Sequence, residues 1–482
     1  MQMELNDGIM NTGRRDFLRG MSGLGAVAAL AGCAGTKLSL GGGGSMSGFT
    51  VPPMKEINVG VVGVGGRGRA AVHRLSLLPG VRITALCDLD RSRAEEQAKW
   101  LRDNGHTQPV KIFDGPEGYK ALCDDPCVNV AYSCLPRDLH GVFNVYAMEA
   151  GQHVMQEVPG AFTLDECWQT VETAEKTRRH CMMLENDCYE EISLLSFNLV
   201  KKGLLGEIVH ADCAYIHDQR ELQFGKTSPW RIKRHMTRHG NYYPTHALGP
   251  IAKSMDINHG DRFDYLVSLE SKSAGFEYYA EQTFPVGAPQ RDWRMVKGDM
   301  NTTLIRTALG HSIMLQHNVS LPRPYSSIHL LSGTRGIVRQ YPEYAVCFET
   351  KTGDKSTKHY FDKEKAEQVR KEYMHPLWKT LGKLAKKAGG HGGCDFVMDL
   401  RWVYCLQNGL PLDTDVYDLA SWSSIVELSE ASVNGHSKAV DFPDFTRGAW
   451  KTAKPFEIVD VDIDRMGLGE DQVKRDKTAY EV

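Results

Sequence analysis

The chain has 482 residues, 41% hydrophobic and 24% charged, which is the composition of a soluble globular protein with room for two domains. Its formal net charge of −3 offers no global basic surface and argues against nucleic acid as a partner. Of the twelve cysteines, Cys87, Cys134, Cys181, Cys213 and Cys405 stand singly in apolar runs, as small buried hydrophobes do. Cys123-Asp-Asp-Pro-Cys127 lacks zinc-ribbon spacing and a second pair, so no metal is expected.

Residues 1–33 read as a signal segment. Arg14-Arg15-Asp16-Phe17-Leu18 precedes a short Gly/Ala-rich apolar run, Met21 to Gly32, too short for a permanent transmembrane helix. The pattern resembles a twin-arginine export signal, with Gly13 where Ser or Thr is often found. Leu30-Ala31-Gly32-Cys33 resembles a lipobox. Cys33 is therefore a candidate for lipid attachment, the alternative being a plain cysteine at the end of a signal. The expected location is outside the cytoplasm, as a periplasmic protein or a membrane-anchored lipoprotein. The Gly-rich stretch Gly41 to Ser45 makes 34–54 a flexible linker in this reading.

The mature chain opens on an apolar run, Ile57 to Val62, that delivers the backbone into Gly63-x-Gly65-x-x-Gly68, with Gly66 and Arg67 inside the loop. In a dinucleotide-binding loop the first glycine permits the turn, the second admits a pyrophosphate, and the third lets the next helix pack closely. A second strand, Val81 to Asp88, ends in an acid placed to accept ribose hydroxyls, which favours NAD over NADP; nearby Arg91 pulls the other way, since it could meet a 2′-phosphate. A helix from Arg91 to Asn104 follows. Further βα units are expected at Val128–Leu135 with 141–150, His153–Glu157 with Leu164–Thr177, and Cys181–Glu185. Repeated units of this kind imply a parallel sheet with right-handed crossovers, a Rossmann domain over 55–190. Ligand contacts are expected at the strand ends: Leu135, Pro136, Arg137, Asp138 and His140, then Glu157 and Val158, then Asn186. The plainer roles are a solvent-facing strand end for Glu157, a helix cap for Asn186, and a helix N-terminal residue without ligand contact for His140.

From Glu207 the rhythm changes. Strand-like segments at 208–216, 265–269, 303–308, 312–319 and 328–341, with few long helices between them, predict an α+β domain over 191–440 built on an open, mostly antiparallel sheet. Helices are expected at about 394–406 and 417–432, then a polar tail over 441–482. The fold class is thus α/β: a Rossmann domain followed by an α+β domain. An exposed face on the second sheet would favour homo-oligomers.

The glycine fingerprint, the loop Leu135 to His140 and Glu157-Val158-Pro159 together resemble the glucose–fructose oxidoreductase/inositol dehydrogenase superfamily. Many of those dehydrogenases have Glu-Lys-Pro where this chain has Glu157-Val158-Pro159, and the absent lysine speaks against ordinary alcohol dehydrogenation. Trp230-Arg-Ile-Lys-Arg-His235, Asn241-Tyr-Tyr-Pro-Thr-His246-Ala-Leu-Gly-Pro250, His391-Gly-Gly-Cys-Asp395 and Asp415-Val-Tyr-Asp418 more closely resemble glycoside hydrolase family 109, bacterial α-N-acetylgalactosaminidases that work through tightly held NAD. The resemblance runs from about Lys55 to beyond His436. It implies a redox-neutral hydrolysis: hydride leaves the sugar C3 for NAD⁺, a base removes the acidified C2 proton, the glycosidic oxygen departs, water adds, and the hydride returns. It also implies that Gly66, Arg67, Asp88, 135–140, Glu157, Val158 and Asn186 line the NAD site.

Two arguments need no family. Elimination from an oxidised sugar develops negative charge, which suits neutral or cationic donors, and residues 231–246 hold Arg, Lys, His and Tyr but no acid; a solvated basic loop would look similar. Free NAD is scarce outside the cytoplasm, so an exported enzyme is better served by a bound, recycled cofactor. Candidates for the sugar site are Tyr215, Arg234, Tyr243, His246 and Tyr325, with His246 and Tyr243 for proton transfer. His235 and His239 share the i, i+4 spacing of a zinc pair but lack the Glu of the metalloprotease motif. Trp230 and Trp293 are core residues first and sugar platforms second. A net NAD-dependent sugar or polyol dehydrogenase is the competing activity, and a sugar sensor without catalysis the third reading.

Overall fold

The computed structural model describes residues 44–225, 230–351, 353 and 355–469. The export signal and the candidate lipid site at Cys33 lie outside them. Among the described residues no helix is long and apolar enough to cross a membrane.

Six parallel strands form the first sheet: β1 (Ile57–Val62), β2 (Val81–Asp88), β3 (Lys111–Asp114), β4 (Val130–Ser133), β5 (His153–Gln156) and β6 (Cys181–Met183). Their spatial order is β3-β2-β1-β4-β5-β6. Helices cover both faces, so β1 from Val59 on and β4 are buried on successive residues rather than alternating, as at Val61-Val62 and Val130-Ala131. The order reverses beside β1, between β1 and β4, and a ligand crevice opens at the carboxyl ends there. The first crossover helix is Gly66–Leu75, starting three residues earlier than a helix from Arg69 would, because Gly66 and Arg67 already lie in its first turn. Leu164–Thr177 begins with a capping box in which Thr163 and Glu166 exchange hydrogen bonds.

The second sheet has eight strands: β7 (Ile208–Ile216), β8 (Phe263–Glu270), β9 (Asn301–Thr307), β10 (Ser312–Asn318), β11 (Leu330–Gly333), β12 (Gly336–Arg339), β13 (Ala345–Phe348) and β14 (Val440–Asp441). Their order is β13-β12-β11-β7-β10-β9-β8-β14. All neighbours are antiparallel except β7 and β10. The expected single run over 328–341 is two strands joined by a turn at Thr334-Arg335, and the expected helix 417–432 is two, Val416–Ser423 and Ile425–Asn434. Along β9, Thr303 and Ile305 are buried while Leu304 and Arg306 face outward.

Two boundary expectations are corrected. Residues 44–54 are packed rather than flexible: Met46 is buried with its N–H donating to Tyr417 Oη at 3.1 Å, Phe49 lies under Arg178, and Met54 N–H reaches the Leu406 carbonyl at 2.9 Å. Residues 441–469 are no free polar tail either, since Phe445, Trp450 and Val461 are buried. Sparse apolar residues between polar ones hid both dockings. The C-terminal helices also return to the first sheet. Leu419 occupies the space where a side chain at Gly160 would stand, and Gly160 N–H donates to Ser423 Oγ at 3.0 Å.

Candidate active site

The glycine loop is shaped by what surrounds it. A Cβ at Gly63, where φ is +81°, would sit 2.6 Å from the Cys134 carbonyl at the end of β4, and one at Gly68 would fall on the Gly63 carbonyl. Gly66 has nothing within 4 Å on its Cβ side. Two glycines therefore close the turn while Gly66 leaves open space at the start of helix Gly66–Leu75. That helix start, capped by the backbone of Gly65, has no side-chain cap and no acid in its first turn, so its free N–H groups suit an anion. Asp88 accepts from Val64 N–H at 2.9 Å and Asp90 N–H at 3.1 Å through different oxygens. Each oxygen keeps a lone pair for a ribose hydroxyl. Arg91 is turned to Glu95 at 2.8 Å and Asp114 at 3.5 Å. Open cradle, uncapped helix start and acid at the end of β2 fit a dinucleotide.

The other sequence-predicted nucleotide residues take mixed roles. His140 places Nδ1 2.6 Å from the Pro159 carbonyl and Nε2 2.9 Å from the Leu135 carbonyl, tying two strand-end loops together. Burial pushes its pKa down to about 4, so the neutral ring donates to only one of them. Arg137 is buried with its guanidinium 3.9 Å from the Tyr243 ring centre and 5.3 Å from that of Trp230. Asp138 pairs with Arg234, which also covers the Phe162 ring. Glu157 and Val158 are buried beside the cis Val158–Pro159 bond, with Glu157 bound to Arg67 rather than facing solvent. Asn186 is buried, donates to Cys394 Sγ at 3.6 Å, and leaves Oδ1 without a partner, as a residue awaiting a ligand does.

The segment Asn241–Pro250 runs into helix Thr245–Ser254, with Tyr243 just before the helix and His246 in its first turn, and the Tyr243 ring packs against Arg137 of the strand-end loop. Tyr243 Oη lies 2.8 Å from His246 Nε2, and His246 Nδ1 lies 2.6 Å from Glu185 Oε1. Asp187 is 3.7 Å from the same Nδ1. Burial opposes charge on the imidazole, but Glu185, Tyr243 and Asp187 outweigh it and hold its pKa well above the usual value. Tyr215, from the end of β7, lies edge-on to Tyr243 at 5.0 Å and accepts from Gln219 at 2.8 Å; burial, then Tyr243, pushes its hydroxyl up to about 12. Tyr325 meets Tyr215 edge-on at 6.3 Å and Tyr341 at 5.8 Å. Burial raises the Tyr325 hydroxyl further, with Asp187 and Glu190 next in effect, so the tyrosines stay neutral.

The acids 185–190 are what sequence reasoning missed. The segment 231–246 holds no acid, yet Glu185, Asp187 and Glu190 arrive from the end of β6 and flank His246. The correction is partial: burial is the largest effect on two of them, raising Asp187 well above the carboxylate range and Glu190 to about 7. The signal is present in Glu185-Asn-Asp-Cys-Tyr-Glu190, a polar run at a parallel-strand end in which strand-end reasoning points to Asn186 alone. Glu185, Asp187 and His246 could supply metal-ligand atoms, all within 4.8 Å of one another. In this geometry Nδ1 is already engaged with Glu185.

Most of the basic segment has other partners: Arg238 with Glu430, His239 with Glu270 at 2.9 Å, and His235 with Tyr242. The zinc-like pair is thus split between two sets of partners. Arg231 remains beside Tyr243 and Tyr215, its pKa lowered first by burial and then by Arg137. Trp293 stacks on Phe224 at 5.7 Å. The Asp415–Asp418 motif is a capping box for Val416–Ser423.

Comparisons with known proteins agree on both halves. A family model described as "Glycosyl hydrolase 109, C-terminal domain" matches residues 189–452, and one described as "Oxidoreductase family, NAD-binding Rossmann fold" matches 57–185. The chain is 43% identical over 455 residues to a glycosyl hydrolase family 109 protein of Shewanella sp. (strain ANA-3), covering 92% of this chain and 99% of that one. It is 42% identical over 410 residues to an alpha-N-acetylgalactosaminidase of Bacteroides fragilis, covering 84% and 95%. Levoglucosan dehydrogenase in complex with NADH and levoglucosan superposes with a TM-score of 0.62 at 18% identity, over 81% of this chain and 100% of that one. An NAD binding oxidoreductase from Klebsiella pneumoniae gives 0.63 at 18%, over 80% and 99%. At that identity the structural likeness speaks for the fold.

Proposed function

The chain belongs to glycosyl hydrolase family 109 and is a glycoside hydrolase with NAD as cofactor, and on that footing we propose that it cleaves terminal α-N-acetylgalactosaminides by transient oxidation and elimination. The observation that carries the reading is the chain Tyr243–His246–Glu185, joined to the strand-end loop by Arg137, whose guanidinium lies on the Tyr243 ring. The name of the Bacteroides fragilis relative supports the choice of sugar.

Gly63, Gly65, Gly66, Gly68 and Asp88 would hold the nucleotide, with Asn186 Oδ1 and the loop 135–138 available to it. Bound NAD would supply a reversible two-electron oxidation at the sugar C3, and the C2 proton so acidified would pass to a carboxylate of the 185–190 run, of which Glu190, raised to about 7, is partly ionised at neutral pH. His246, kept protonated by Glu185, passes a proton from Nε2 through Tyr243 Oη to the departing glycosidic oxygen. Arg137 and Arg231 face the charge that develops on the oxidised sugar. Tyr215 and Tyr325, whose hydroxyls burial raises further above their ordinary value, line and orient the ring as neutral donors. Asp187 and Glu190 are kept from full ionisation by burial, so the site does not repel that charge.

We place the enzyme outside the cytoplasm on the strength of Arg14-Arg15, with Cys33 as the point of lipid attachment. Replacing both arginines by lysine should leave the protein in the cytoplasmic fraction. The catalytic test uses purified protein without added NAD and an aryl α-N-acetylgalactosaminide in deuterated water. Aglycone release without NADH accumulation, and deuterium at C2, is the expected result. Stoichiometric NADH would replace this reading with a net dehydrogenase, and an unlabelled C2 would replace elimination with direct displacement.

A further inference from the structure

The nucleotide loop is not held by the Rossmann domain alone. Arg67, in the first turn after the glycines, splits its guanidinium between two carboxylates: Nε donates to Glu157 Oε1 and Nη1 to Asp395 Oδ2, each at 2.6 Å. Glu157 follows β5, but Asp395 comes from the first turn of helix Cys394–Asn408, 328 residues further along the chain. Arg74, one face-repeat later on the same helix as Arg67, reaches Asp399 at 2.8 Å and Asp395 at 3.5 Å. Residues spaced seven apart on one helix thus meet residues spaced four apart on another, matching two helical faces. His391 adds a contact to Asp395 at 3.0 Å. Burial disfavours charge on Asp395, yet Arg67, Arg74 and His391 hold it well below the usual carboxylate range. The carboxylate is 1% exposed, while Arg67 is 27% exposed at the loop.

A loop with four glycines in six residues has high backbone entropy, and an anion cradle works only while its N–H groups converge. Some contact must keep it in register when the nucleotide strains to leave. We propose that Asp395 is a positioning residue for the cofactor: by gripping Arg67 against Glu157 it clamps the glycine loop and sets how long NAD stays bound. Asp399 lacks that role. It pairs with Arg74, Tyr132 Oη at 3.2 Å and Trp402 Nε1 at 3.3 Å, none of which belongs to the loop. The inference rests on the NAD site and holds whichever glycoside is cleaved.

The experiment measures NAD retained after gel filtration and its release rate from the whole protein, with melting temperature in parallel. Asp395→Asn should release NAD at least about tenfold faster than the parent, since a buried pair is broken on one side. Asp399→Asn should lower the melting temperature but retain NAD. Arg67→Gln should speed release to a similar degree, and the double variant with Asp395→Asn should be no faster than either, because both act through one contact. If Asp395→Asn fails to fold, Arg67→Gln and Glu157→Gln, at the more exposed end of the network, carry the test. Parent-like release from folded Asp395→Asn, or from both of those variants, overturns the proposal. So does release from Asp399→Asn as fast as from Asp395→Asn, which would make the network a general brace.

Discussion

The two sides of the active site are built on different principles. The phosphate and ribose part of the nucleotide side is a contiguous stretch, 63 to 88, in which backbone shape does the work: two glycines where side chains would collide, one facing open space, and a carboxylate at the end of β2. The sugar side, as proposed, draws on residues 137, 185–190, 215, 231, 243–246 and 325, and there side-chain protonation does the work. The contrast shows that a cradle of N–H groups can be written locally, whereas a proton relay needs donors and acceptors whose charges are tuned by burial and by one another, which only the folded chain supplies.

If that division is right, damage on the two sides should look different. The largest effect is expected from Gly68→Ala, whose Cβ would fall on the Gly63 carbonyl. It should abolish NAD retention and cost about 2–4 kcal/mol of stability, read by cofactor content and thermal melting. His246→Ala should lower kcat by roughly 10²–10⁴-fold with NAD content intact, the magnitude usual for acid–base groups. Loss of NAD in that variant would erase the division.

Glu185→Gln should be milder in rate and more telling in pH. His246 is held above its ordinary value, so it stays charged until pH rises through the raised value, and activity falls on that alkaline limb. Without the carboxylate, burial dominates and the limb should move to lower pH. The stability that pairing gives is present below about pH 6.5 and lost as pH rises through the raised value, so the variant should lose most stability at acidic and neutral pH. An unchanged limb would take His246 out of the relay. The smallest effect is expected from Arg91→Ala. Its guanidinium is committed to exposed acids, so NAD affinity should change by less than about twofold.

Legibility in the sequence followed the same divide. The βα rhythm, the glycine loop and Asp88 could be read because each signal spans a few residues, and the strand-like segment 208–216 coincides with β7. Tyr243 and His246 were found through their motif, but Glu185 was passed over at the end of β6, where a polar residue reads as a strand end until its partner is known. The missed β3 is four residues long with no fully buried position. Met46, Phe445 and Trp450 were hidden because isolated apolar residues in polar surroundings have no periodicity to betray them.

Leu419 lying in the space above Gly160 bears on how the protein could be cut apart. A fragment ending near residue 190 would contain all six strands of the first sheet, yet it would leave Gly160, the Met183 region and the Arg67 guanidinium facing water where Leu419, Ser423 and Asp395 now stand. The nucleotide-binding half is therefore not a detachable module. Its last layer is supplied by Asp395, Leu419 and Ser423, so that half is completed only once those later residues have been made and have docked.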